Sequence, residues 1–94
     1  MSSVDPKVEA ELEKWRERLK EIDKELLDVL KRRMTFAKEI GTLKKKNDID
    51  IKNPKQREIV RHNWLAWGSS RGLSGEEIGE IVEAVLDLSE KAQK

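Results

Sequence analysis

Two cations interrupt the apolar pattern of a long helical stretch, and their spacing suits the capture of an anion. Arg33 stands between Val29 and Phe36, where the alternating three-and-four spacing asks for an apolar residue. A guanidinium there can snorkel or pair with an acid on a partner helix. It can also act as a planar fork that holds a carboxylate through two hydrogen bonds. Lys44 follows eleven residues later. That is close to three full turns, so Lys44 projects within about 20° of Arg33 and about 16 Å further along the axis. Taken alone, Lys44 is a solvated lysine at a helix end; taken with Arg33, it can flank one small anion if both side chains lean inward.

Arg16 lies one place past Trp15, on the border of the same apolar seam. It is roughly 25 Å from Arg33 along the helix, too far for both to hold one small molecule from a single chain. In an antiparallel dimer, Arg16 of one subunit can approach Arg33 and Lys44 of the other, giving two symmetric sites lined by both chains. Read in isolation, Arg16 is an ordinary surface arginine. Ser89 and Gln93, four apart, share a face of the last helical segment, where a hydroxyl and a neutral amide can both donate to an oxygen ligand. The plainer reading of that pair is a solvated helix end.

The elements that must position these groups are all helical. From about Lys7 to Lys46 there is no proline, and Gly41 is the only glycine. Apolar residues recur there at Leu12, Trp15, Leu19, Ile22, Leu26, Val29, Phe36, Ile40 and Leu43, with a second stripe at Leu27, Leu30, Met34 and Ala37. Two stripes imply more than one neighbour. A helix over that run spans roughly 60 Å, whereas a compact domain of this size is about 30 Å across, so most of its apolar face needs another chain to cover it. Asn53-Pro54 starts a second helix over about 54–68, with Val60, Trp64 and Trp67 as its core face. Ser74 with Glu77 forms a capping box for a third over about 75–92, carrying Ile78, Ile81, Val82, Val85, Leu86 and Leu88. The expected fold is all-α, a single domain over residues 1–94 with three helices per chain, one very long, intertwined in a homodimer.

Composition narrows the chemistry. A net charge of +1 exerts no global pull on nucleic acid or an acidic membrane. The three tryptophans and His62 read as packing or surface residues, since no basic, aromatic-lined groove accompanies them. With no cysteine there is no disulfide or thiolate chemistry, and one histidine argues against a dedicated zinc site. No apolar run reaches membrane-spanning length, and the N-terminal residues contain no apolar stretch typical of a secretory signal, which suits a cytoplasmic setting.

Together these residues resemble the all-helical class of chorismate mutases over nearly the whole chain. The resemblance rests on Leu12-Glu13-Lys14-Trp15-Arg16 through Ile22-Asp23 with Leu26-Leu27, then Arg32-Arg33-Met34, Ala37, Ile40-Gly41 and Lys44, the Asn53-Pro54 joint, and Ser89 with Gln93. It implies the conversion of chorismate to prephenate in one pericyclic step, without metal, cofactor or covalent intermediate. It also implies that Arg33 and a neighbouring subunit's Arg16 clamp the substrate carboxylates, with Ser89 helping. Lys44 and Gln93 would then serve the ether oxygen, where negative charge grows, and Asn53, Arg57 and Glu58 would contribute to substrate binding. One region departs from the family. Where Asp-x-x-Arg-Glu is usual, with the Glu accepting from the substrate hydroxyl, this chain reads Asn53-Pro54-Lys55-Gln56-Arg57. Sliding by one restores Arg57-Glu58 but rotates the helix by about 100° and turns its apolar face outward. That departure gives some weight to a lyase that releases pyruvate from isochorismate on the same fold. A non-catalytic helical dimerisation or regulatory module would explain the seam but not its cations.

Overall fold

The computed structural model describes residues 4–94, and every regular element among them is a helix: α1 (Pro6–Lys46), α2 (Pro54–Ser69) and α3 (Gly75–Gln93). These bounds differ from the sequence reading by a residue at three ends, within the ordinary fraying of helix termini.

Each boundary has a local cause. Asp5 Oδ1 accepts from the Lys7 amide at 2.8 Å, and Pro6 follows as the first helical residue. Asn53 Oδ1 caps α2 through the Gln56 amide at 3.1 Å. Ser74 and Glu77 make the reciprocal capping box of α3. Two helix ends close the same way. After α1, Asp48 adopts φ 53° while the Ile49 amide reaches back to the Lys44 carbonyl at 2.9 Å. After α2, Gly72 adopts φ 78° while the Leu73 amide reaches the Gly68 carbonyl at 3.0 Å. Both are Schellman closures, in which a left-handed residue turns the last carbonyls toward their own chain.

The chain divides into two compact units, Met1–Arg32 and Arg33–Lys94. In the first, no described residue is buried. Its apolar seam, Leu12, Trp15, Leu19, Ile22, Leu26 and Val29, is 40–63 % exposed. An isolated helix with so much uncovered apolar surface gains little from packing, which is where helices in proteins draw most of their stability.

The second unit holds the core. Ile78, Val82, Leu86 and Ser89 form one buried stripe of α3, with Ile78 against Gly68 of α2, and Ala37 and Gly41 are the buried residues of α1. This stripe is narrower than the pattern suggested. Ile81 and Leu88 are exposed, and so is Trp67, which the sequence placed in the core. The inward line of α2 runs Val60, Trp64, Gly68 at four-residue steps, and Trp67 sits about 100° off Gly68. Phe36, Ile40 and Leu43 of α1 are likewise exposed, while Ala37 of the second stripe is buried.

Gly41 sets how closely α1 approaches the last turn of α3. A Cβ there would lie 2.5 Å from the Gln93 Cα and 2.8 Å from its carbonyl carbon, both backbone atoms that no rotamer change can move. Gly41→Ala is therefore expected to cost about 1–3 kcal/mol, measured as a lower thermal midpoint. Gly79→Ala is the control: nothing lies within 4 Å of a Cβ at that helical position, so it is expected to stabilise by about 0.5–1 kcal/mol.

Candidate active site

The close contact at Gly41 brings the C-terminal part of α1 against the end of α3, and a cavity of about 350 Å³ opens beside it. Its walls come from three helices: Arg33, Ala37, Ile40 and Lys44 of α1; Gln56, Arg57 and Val60 of α2; Leu86, Ser89, Glu90 and Gln93 of α3. Ile51 and Asn53 close the end between α1 and α2. The volume lies at the lower end of the range for small-molecule sites.

Arg33 enters from α1 half-buried, and its Nη1 donates to Ser89 Oγ. Ser89 in turn donates to the Val85 carbonyl at 3.0 Å, the bond that holds a buried serine within its own helix. Burial pushes the Arg33 guanidinium below its usual value, and among the described residues no carboxylate pairs with it. Lys44 Nζ donates to the Ile51 carbonyl at 2.9 Å and to Gln93 Oε1 at 2.8 Å. An ammonium has three protons, so one remains for a ligand. The contact also orients the Gln93 amide: with its oxygen bound to Lys44, its NH₂ group is left to donate elsewhere.

Arg57 is a different kind of cation. Its Nη2 binds Glu83 Oε2 at 2.8 Å and Asp87 Oδ1 at 2.9 Å, and its Nη1 binds Glu90 Oε1 at 3.2 Å. Hydrogen bonds donated to Glu83 and Asp87 hold the Arg57 guanidinium above its ordinary value, and Arg57 and Arg61 together hold the Glu83 carboxyl below the usual carboxylate value. Arg61 Nε completes the lattice at 2.6 Å from Glu83 Oε1. This network joins α2 to α3 and neutralises Arg57, whereas Arg33 and Lys44 stay open to an anion.

Of the residues singled out in the sequence, Arg33, Lys44, Asn53, Arg57, Ser89 and Gln93 line this one cavity. Glu58 does not; it is exposed and pairs with Arg61. Arg16 belongs to the other unit, where its Nη1 binds Glu9 at 2.9 Å and Glu13 at 3.5 Å, and those partners raise it above its usual value. Glu90 was missed. Its signal was positional, since it falls beside Ser89 and three residues before Gln93, but an acid near a charged helix end looks like solvated surface.

Compared with protein-family models, residues 15–94 match chorismate mutase type II. No curated protein and no solved structure matches the chain.

Proposed function

The chain belongs to the chorismate mutase type II family, and on that premise we propose that the cavity around Arg33 and Lys44 is where chorismate rearranges to prephenate. The enzyme is an isomerase: in one concerted step the ether C–O bond breaks as a C–C bond forms, and no atom is gained or lost. Such a step needs no nucleophile and no proton transfer. It needs the substrate folded into its compact conformer and charge placed where it develops.

The observation that carries this assignment is the pair of pocket cations without acid partners. Arg33 takes one substrate carboxylate, with the Ser89 hydroxyl rotating from the Val85 carbonyl to assist. Lys44 directs its remaining proton, and Gln93 its NH₂, to the ether oxygen as negative charge grows there. Asn53 and Arg57 wall the site from α2. We assign the second carboxylate to Arg16 of another copy of the chain. The domain, spanning residues 1–94, then works as an intertwined homodimer whose partner covers the exposed seam of α1. Prephenate carries the skeleton of phenylalanine and tyrosine, so the reaction belongs to aromatic amino-acid biosynthesis, and the cysteine-free chain suits the cytoplasm.

A mixing experiment tests the shared site. Arg16→Ala and Arg33→Ala are each expected to be nearly inactive when assayed by loss of chorismate absorbance. Co-expressed in equal amounts, they form mixed dimers in which one site of two is intact, so about a quarter of wild-type activity should return. No recovery from a confirmed mixed dimer would show that the two arginines do not meet across subunits.

A further inference from the structure

We propose, building on the reading of this cavity as the chorismate site, that Glu90 accepts the hydrogen bond of the substrate's secondary hydroxyl and so selects which dicarboxylate the pocket turns over. Chorismate presents two carboxylates and an ether oxygen, all acceptors, and a single donor, the hydroxyl. Arg33, Lys44, Ser89 and Gln93 supply donors to the acceptors, and none of them answers the hydroxyl.

Among the residues lining the cavity Glu90 is the only acid. Three neighbouring acceptors already receive a bond, Gln93 Oε1 and the Ile51 carbonyl from Lys44 and Asn53 Oδ1 from the Gln56 amide, while the Gln56 side chain offers a neutral amide oxygen, a weaker acceptor than a carboxylate. Glu90 has one oxygen to spare. Its Oε1 accepts from Arg57 Nη1 at 3.2 Å, while no group among the described residues bonds Oε2. The side chain is 28 % exposed, sheltered enough for a charged hydrogen bond to count.

A bare carboxylate here would repel a dianionic substrate. That repulsion is offset in part by Arg57, which Glu90 shares with Glu83 and Asp87, and in the main by Arg33 and Lys44, two cations of the same cavity without acid partners among the described residues. The acid is thereby held in place by Arg57 and keeps a second oxygen that accepts no bond from the described residues, in a cavity it lines together with Arg33 and Lys44. A ligand with both carboxylates but no hydroxyl would bury Oε2 without a partner, which is how polar sites reject analogues.

The test compares kcat/KM for chorismate with that for its analogue in which hydrogen replaces the hydroxyl. The wild-type chain should prefer chorismate. Glu90→Ala should lose about 10–100-fold on chorismate and stay within about two-fold on the analogue, the worth of one hydrogen bond to a charged group. Glu90→Gln, which keeps the shape and a neutral acceptor, should fall between; it carries the comparison by the same criterion if the alanine variant does not fold. An equal loss on both substrates, or an unchanged rate on chorismate, would overturn the assignment. A folded wild-type chain that turned over neither compound would instead overturn the reading of the cavity itself, a result distinct from any pattern among the Glu90 variants.

Discussion

Replacing Arg33 by alanine is expected to lower kcat/KM for chorismate by about 10²–10³-fold, the scale on which removal of a preorganised charge acts. The guanidinium is half-buried, desolvated and without an acid partner among the described residues. A cation in that state is an energetic cost to the folded chain, offset only when an anion arrives. The same variant should therefore keep its helical content and melt no lower than the wild type, since it removes a desolvated charge along with one bond to Ser89. Loss of activity with loss of fold would assign Arg33 a structural task. Retained prephenate formation would remove it from the site. Arg33→Lys should fall between, because an ammonium keeps the charge but cannot form the bidentate fork.

Lys44→Ala should also cost about 10²–10³-fold, but mainly in kcat, since in the proposed site its proton serves an oxygen whose charge appears only in the transition state. Its removal also frees Gln93 Oε1, so the amide that Lys44 orients can turn over. Lys44 and Gln93 thus act as a unit. The double variant Lys44→Ala with Gln93→Ala should be little worse than Lys44→Ala alone, whereas independent groups would multiply their losses. A loss confined to KM would mean that Lys44 only binds the ground state.

How much of this was legible in the sequence depends on the range of the interaction. Helix starts at Pro6, Pro54 and Gly75 follow from a cap and the residues beside it, interactions within four positions. The seam of α1 was legible because helical periodicity repeats over many turns. Its residues stay exposed in a single chain, as a face that needs another chain would. Arg33 and Lys44 stood out because each breaks or ends that pattern, and eleven residues on a regular helix define an angle. That both line one cavity with Ser89 and Gln93 depended on α3 folding back, and there the family resemblance did what periodicity could not.

Tertiary structure decided the rest. Trp67 and Ile81 have the right spacing for a core but lie outside it, because the rotation the helices adopt turns Gly68 and the Ile78, Val82, Leu86 line inward instead, and propensity cannot say which rotation each helix adopts. Gln56-Arg57 looked like a defect in a motif. In the fold, Arg57 is saturated by Glu83, Asp87 and Glu90 from another helix, residues twenty-six to thirty-three positions away that no local rule connects to it. Glu90 itself became a pocket residue only once α3 had packed beside the other helices. Sequence determined the helices and the charges they carry, because caps and periodicity act over a few residues. Which charges were neutralised and which were left open for a ligand was settled by helix packing, because a salt bridge depends on distances in space that chain spacing does not encode.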